Sequence, residues 1–304
     1  SGQGLGYPII TTLIMEPRSC VLPEGTSTGT RHLNYGLVIG MFFLSWFFGV
    51  VYVAKVSDAI GRKNAMLICL AGALLGYLIT ILSLYMGSLW MLILGRSITG
   101  FTAQAAMSDG SRDDAERDRN MGYIVTGVSF GLVGGPLIGA LLSDQALLGN
   151  FGNLKTPFWG AFVLVAIAIV LVIAFFNDVR TEREKFVFRP LDVFDSLFKI
   201  RHHPLVMIAN VTFYVFIDNY LTSAFGYGVV GGSIAMVVIG VALASSSTFL
   251  VKPAQERFHK RTLIRASLIV MIVSIAWFIT TKSGPASFVA PFFFYLLFGI
   301  SYPT

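Results

Sequence analysis

The chain has 304 residues, 55% of them hydrophobic and only 12% charged, with a mean hydropathy of +0.74; this excludes an ordinary soluble domain and places the chain in a bilayer. The formal charge of +6 and pI of about 9.4 do not point to nucleic acid, because the bases are scattered over short connections and form no basic domain. Cys20 in a connection and Cys69 inside an apolar run make no disulfide framework, and His32, His202, His203 and His259 lack the spacing of a metal site.

Apolar runs recur along the whole chain, most of them close to the roughly 20 residues a helix needs to cross a bilayer. In order they are 5–15, 35–53, 65–84, 89–107, 121–142, 158–176, 204–221, 229–251, 263–279 and 286 onward. Both ends fall within apolar stretches, so the first and last spans are expected to be cut within helices. The polar stretch 16–34 carries Pro17 and Pro23, Gly87-Ser88 is a very short turn, and 108–120 is dense in charge. Residues 178–203 form the longest charged connection; within it 191–200 places Phe194 and Leu197 on one side, as expected of a linker lying at a membrane surface.

The distribution of bases sets an orientation. Alternate connections at 55–63, 112–119, 180–201 and 252–265 hold 17 Lys and Arg, whereas the others hold only Arg18, Arg31, Lys155 and Lys282. The richer set belongs in the cytoplasm, which puts whatever precedes residue 1 there as well.

Within that set, 54–63 reads A-K-V-S-D-A-I-G-R-K, a charged bridge in which Asp58 is followed by Gly61, Arg62 and Lys63. Gly61 permits a tight turn with positive φ. The stretch 252–261, K-P-A-Q-E-R-F-H-K-R, repeats the pattern 198 residues later, with Glu256, Lys260 and Arg261 over Asp58, Arg62 and Lys63, and His259 in place of the turn glycine. Internal symmetry of this kind is expected of a transporter built from two similar halves.

Four constellations could carry function. Arg96 is the one base inside a span; a guanidinium there costs about 2.5–3.5 kcal/mol or more unless it faces a cavity or a partner. Asp218 is the one acid well inside a span, on a stripe with His203, Met207, Asn210 and Tyr214 that gives one helix a polar face, although it could also reach the outer surface. Gly127, Gly131, Gly135 and Gly139, with Pro136 between them, make a bare helical face suited to close backbone packing, whether structural or functional. Phe288, Phe292, Tyr295, Phe298 and Tyr302 form an aromatic stripe that reads as packing or as the wall of a cavity. The chain shows no P-loop, catalytic triad order or metal-spaced ligand set, so no enzyme activity, cofactor or metal is expected.

Several of these residues carry a resemblance. The bridge with Asp58, Gly61, Arg62 and Lys63 resembles the loop G-x-x-x-D-R-x-G-R-R between the second and third helices of the major facilitator superfamily, with Ala54 and Ala59 as departures. The opening G-Q-G-L-G-Y-P resembles the first-helix pattern of its proton-coupled drug exporters, and Arg96 with Gly100 resembles the fourth-helix R-x-x-x-G. Gly131, Gly135, Pro136 and Gly139 resemble the fifth-helix G-x-x-x-G-P-x-x-G-G of its antiporters, with Ala140 in place of the last glycine.

The resemblance implies an all-α polytopic membrane protein with the major facilitator fold: two pseudo-symmetric six-helix bundles, here about ten spans, with 1–177 and 204–304 as the bundles and 178–203 as the linker. It implies a proton-coupled antiporter, similar to the twelve-helix drug and tetracycline exporters, that exports a small amphipathic molecule by alternating access. Arg96 and Asp218 are then the proton-coupling residues and Gln104, Asn210, Tyr214, Phe292 and Tyr295 line the substrate cavity. Asp58, Gly61, Arg62, Lys63, Asp109, Gly127, Gly131, Gly135, Pro136 and Gly139 serve conformational change, with Arg62 meeting an acid such as Asp109. The expected partners are a small-molecule substrate, protons and the lipid bilayer, for a monomer in the bacterial inner membrane. A proton-coupled metabolite importer, and a membrane enzyme or scaffold, are the alternative readings.

Overall fold

The computed structural model describes residues 2–16, 19–103, 131, 133–176 and 204–301, and every regular element among them is helical. The α-helices of seven residues or more are, in chain order, α1 (Gly2–Met15), α2 (Thr28–Ile60), α3 (Arg62–Met86), α4 (Leu89–Thr102), α5 (Val133–Ser143), α6 (Thr156–Phe175), α7 (Pro204–Phe225), α8 (Val229–Ser245), α9 (Val251–Arg257), α10 (Lys260–Thr280) and α11 (Val289–Ser301). Four of the described helices have the length and hydropathy to cross a membrane, over Thr28–Ser57, Lys63–Met86, Thr156–Phe175 and Thr262–Thr280. The described residues group into two compact units. One contains α2, α3, α4 and α6 with α1 from Ile10 onward; the other contains α7 to α11, the part of α5 up to Leu141 and α1 up to Ile9.

Local chemistry explains where the helices start and stop. Ser27 caps α2, its hydroxyl accepting the Thr30 amide at 3.3 Å. The helix then runs 33 residues, about 50 Å at 1.5 Å per residue, and includes most of the bridge expected between spans. The turn is therefore one residue rather than ten: Ala54 to Ile60 remain helical, and only Gly61, at φ 88° and ψ 154°, breaks the chain before α3. The bridge contains no other helix breaker, and a charged helix end that leaves the apolar layer loses none of its internal hydrogen bonds. The corresponding place between α9 and α10 is built differently, because Phe258 and His259 are both extended, at φ −128° and −67°, with no positive φ. Two ordinary extended residues there do the work of one glycine.

At the far end of α3, Gly87 takes the left-handed conformation at φ 66°, and Ser88 caps α4 by accepting the Met91 amide at 3.4 Å. A Cβ on Gly87 would lie 2.8 Å from the Cys20 carbonyl, so crowding and φ both require glycine there. Ser246–Leu250 forms a π-helical segment between α8 and α9, so the expected span 229–251 is interrupted by a wider turn.

Two long side chains satisfy helix ends that would otherwise leave carbonyls unpaired. Arg31, only 6% exposed, donates from Nη1 to the Ile14 and Glu16 carbonyls at 2.7 and 2.5 Å and from Nε to the Thr26 carbonyl at 3.2 Å. It ties the end of α1 to the start of α2. Lys63 does the same for α6, donating to the Ile173 carbonyl at 3.1 Å, where the partial negative charge of a helix C-terminus favours a cation. Replacing Arg31 with Met should lower stability by about 2–4 kcal/mol, since three carbonyls lose a charged donor. Arg31→Lys should recover only part of it; thermal unfolding of the detergent-solubilised protein is the measurement, and equal melting of all three proteins would remove this role.

Candidate functional site

The site begins with the way α4 is held. α4 packs against both α2 and α3, and at each contact a glycine lets backbone meet backbone. On the α2 side a Cβ on Gly100 would strike the Phe42 carbonyl, and one on Gly49 would strike the Phe101 carbonyl. On the α3 side, a Cβ on Gly95 would lie 2.5 Å from Thr80 Oγ1 and 2.8 Å from the Gly76 carbonyl, and one on Gly72 would lie 2.5 Å from Thr102 Cγ2. Thr80 and Thr99 turn their hydroxyls back to the Gly76 and Gly95 carbonyls, at 2.8 and 2.7 Å, which satisfies them within their own helices. Small residues at the seam are the usual means of helix association where no water drives it.

Arg96 sits on this clamped helix and is 1% exposed. Its guanidinium lies 4.4 Å from the centre of the Phe42 ring, a cation–π contact at a desolvated position, worth about 2 kcal/mol. Phe42 thus has two duties, its carbonyl against Gly100 and its ring under Arg96.

Asp218, in the other unit, is also 1% exposed, so its carboxyl group does not reach an outer surface. It rests on the bare surface of α8: a Cβ on Gly232 would collide with the carboxylate, 2.8 Å from its Cγ, and would lie 3.2 Å from Pro8 Cβ of α1. Glycine 232 makes the seat and Pro8 closes one side of it. Ser233 and Asn219, 2% and 4% exposed, lie next in sequence to the two partners, and Asn219 Oδ1 accepts the Ser223 hydroxyl at 3.3 Å.

Other residues named from sequence fall in several places. Tyr295 is buried in an aromatic cluster, its ring 5.0 Å from Phe294, 6.0 Å from Phe213 and 6.2 Å from Phe298, whereas Phe292 is half-buried with its ring edge-on to Phe293. On α5, Gly135, Pro136 and Gly139 are buried and Gly131 just before it is half-buried, while a Cβ on Gly134 would meet nothing within 4 Å; the row at four-residue spacing is the packed face. Gln104, Asp109 and Gly127, and the side chains of Asp58, Arg62, Asn210 and Tyr214, lie outside the described residues.

Sequence reasoning missed Phe42 and Gly232, and it named Pro8 only as part of the opening G-Q-G-L-G-Y-P pattern, not as a neighbour of Asp218. It also passed over the G-x-x-x-G spacing of Gly72 and Gly76, which was a visible signal. Spacing alone would not have been enough, because Gly36 and Gly40 show the same interval and face open space.

A family model described as Major Facilitator Superfamily matches residues 4–304. The class H tetracycline resistance protein of Pasteurella multocida is 30% identical over 191 residues, 61% of this chain and 43% of that protein. The class C tetracycline resistance protein of Escherichia coli is 24% identical over 283 residues, 88% of this chain and 67% of its own length. The match to the class H protein thus spans less than half of that relative's length. Among solved structures, the human organic anion transporter MFSD10 (TETRAN) superposes with a TM-score of 0.66 at 15% identity, covering 99% of this chain and 82% of that one; at this identity the likeness speaks of fold alone.

The glycine contacts make a paired prediction. Gly95→Ala should destabilise by about 1–3 kcal/mol by forcing α3 and α4 apart. Gly36→Ala, in open space on a helix, should stabilise by about 0.5–1 kcal/mol. Denaturant melts of both proteins in one detergent check this, and a neutral Gly95→Ala would show that the seam yields freely.

Proposed function

Since the chain belongs to the Major Facilitator Superfamily, an integral membrane transporter fold and no enzyme, we propose that it is a proton-coupled antiporter that exports a small amphipathic molecule or drug by alternating access. The observation that carries this reading is the pair of buried charges of opposite kind, Arg96 clamped over Phe42 and Asp218 seated on Gly232. Ionisable groups inside a membrane are costly and mark ion or substrate pathways. The two are not equivalent: a guanidinium keeps its proton at any physiological pH, whereas a carboxyl group can take one up and release it. In this proposal Asp218 carries the exchanged proton and Arg96 supplies a fixed positive field. The similarity to two tetracycline resistance proteins supports efflux over uptake.

The remaining assignments belong to the same proposal. Gln104, Asn210, Tyr214, Phe292 and Tyr295 line the substrate path, in a chain organised as bundles 1–177 and 204–304 around the linker 178–203. Asp58, Arg62, Lys63 and Asp109 latch one state around the Gly61 turn, and Gly127, Gly131, Gly135, Pro136 and Gly139 serve the sliding of helices. The charge bias of the connections supports an orientation with the 54–63 turn in the cytoplasm of a bacterial cell. The transporter acts as a monomer.

The test is transport by the full-length protein in vesicles with an imposed pH gradient, using a panel of amphipathic drugs. Substrate should move against the proton, and Asp218→Asn should reduce gradient-driven flux to that of protein-free vesicles while leaving drug binding measurable. Arg96→Lys should also fail, because the flat delocalised guanidinium over Phe42 is lost. Substrate and proton moving together would replace export by import, and an Asp218→Asn protein that still builds a gradient would remove Asp218 from the mechanism.

A further inference from the structure

Phe42 of α2 meets α4 at two places one helical turn apart. Its main chain lies against Gly100, where a Cβ would fall 3.1 and 3.2 Å from the Phe42 carbonyl carbon and Cα. Its ring lies under Arg96, with the guanidinium carbon 4.4 Å from the ring centre. Arg96 and Gly100 are four residues apart, so both contacts belong to one face of α4. The ring is held in turn: Phe42 is fully buried, and it meets the Phe43 ring edge to face at 5.6 Å and 87°.

Two properties suit this residue to more than packing. A carboxylate beside Arg96 would hold the guanidinium by cancelling its charge, whereas a ring holds a cation through its quadrupole and adds no charge of its own. The attraction is also confined to about 6 Å from the ring centre, so it favours one placement of a long side chain that otherwise has many rotamers. The place of the ring follows from the α2–α4 seam, because one residue carries both the main-chain contact and the ring. Leucine could fill the same space but would not hold a cation.

We propose that Phe42 is a positioning residue for transport: through its contact with Gly100 it makes the place of the Arg96 charge depend on the approach of α2 to α4. This role rests on the reading of Arg96 as the source of a fixed field. Arg96 is held while the two helices keep their backbone contact, and it is released when a conformational change parts them.

Fluorinated phenylalanines incorporated at position 42 of the full-length protein test this, because fluorine weakens the π face while nearly keeping the shape of the ring. In detergent melts, fluorination should lower stability in the parent and have no such effect in an Arg96→Met background. In vesicles with an imposed pH gradient and tetracycline or ethidium as probe, maximal flux should fall stepwise from phenylalanine to the monofluoro and trifluoro rings. The last step should reach about tenfold, with half-saturation by the probe unchanged. Trifluorophenylalanine at Phe151, which is 79% exposed, should leave flux as in the parent. Gly100→Ala, which pushes at the Phe42 carbonyl, should give the same loss on its own and little more in the trifluoro protein. A flux indifferent to fluorine, or an equal effect of fluorine on stability without Arg96, would overturn the role of the ring. Losses from Gly100→Ala and fluorine that multiply would overturn its dependence on the seam. A parent that moves neither probe, or moves them regardless of the pH gradient, would instead overturn the proton-coupled export on which the role rests.

Discussion

The structure depends on backbone contact between helices in a setting where water supplies no driving force for their association. Leucine against leucine is no better than leucine against lipid, so helices associate where dispersion contacts are dense and small residues let main chains approach. The α2–α4 unit follows this rule closely. Gly49 and Gly100 open the seam with α2, Gly72, Gly76 and Gly95 open the seam with α3, and α4 is held from both directions. A helix gripped at its backbone has little freedom to rotate, and Arg96 projects from that helix. The position of a charge within an apolar layer is thus set by residues that have no side chains.

The second constraint is that a polar group away from water must be satisfied within the protein. The structure meets it at three scales. Thr80 and Thr99 return their hydroxyls to carbonyls one turn back. Arg31 and Lys63 reach across to the ends of neighbouring helices. Arg96 uses an aromatic face, which offers electron density to a cation. Asp218 lies against Gly232, whose missing side chain leaves room for the carboxyl group. Arg96 and Asp218 are both 1% exposed, so each places a charge-bearing group in the interior of its unit.

Membership of a transporter superfamily gives these features a common setting. A transporter must hold stable helix seams and yet change shape, and glycine seams supply close contact without interlocked side chains. Gly135 and Gly139 are buried on α5 and Gly61 alone makes the turn between α2 and α3, while the Arg31 and Lys63 anchors hold helix ends together. The π segment Ser246–Leu250 places another irregularity inside a long helical path.

Much of this was legible in the amino-acid sequence. Apolar runs of near-bilayer length declared an all-α membrane protein, the isolated Arg96 and Asp218 stood out against them, and Gly61 could be read as a positive-φ turn because only glycine adopts that conformation cheaply. These are properties of single residues or of one short stretch, and a linear reading captures them. The true length of the 54–63 connection was not so visible, because charge marks where helix leaves lipid and does not mark where helix ends. Least visible were the partners. α6 and α8 are apolar almost all round, so hydropathy carries no record of their rotation, and identical G-x-x-x-G spacings at Gly36/Gly40 and Gly72/Gly76 lead to open space in one case and to a backbone seam in the other. The sequence by itself determined that this is an all-α membrane protein, roughly where its apolar spans lie, and that Arg96 and Asp218 fall within them; that Asp218 and also Arg31 are buried was decided by the tertiary structure. Only the tertiary structure decided that Arg96 lies over Phe42 and Asp218 on Gly232, because those contacts depend on helix rotation and approach, which are settled by packing between segments far apart in the chain.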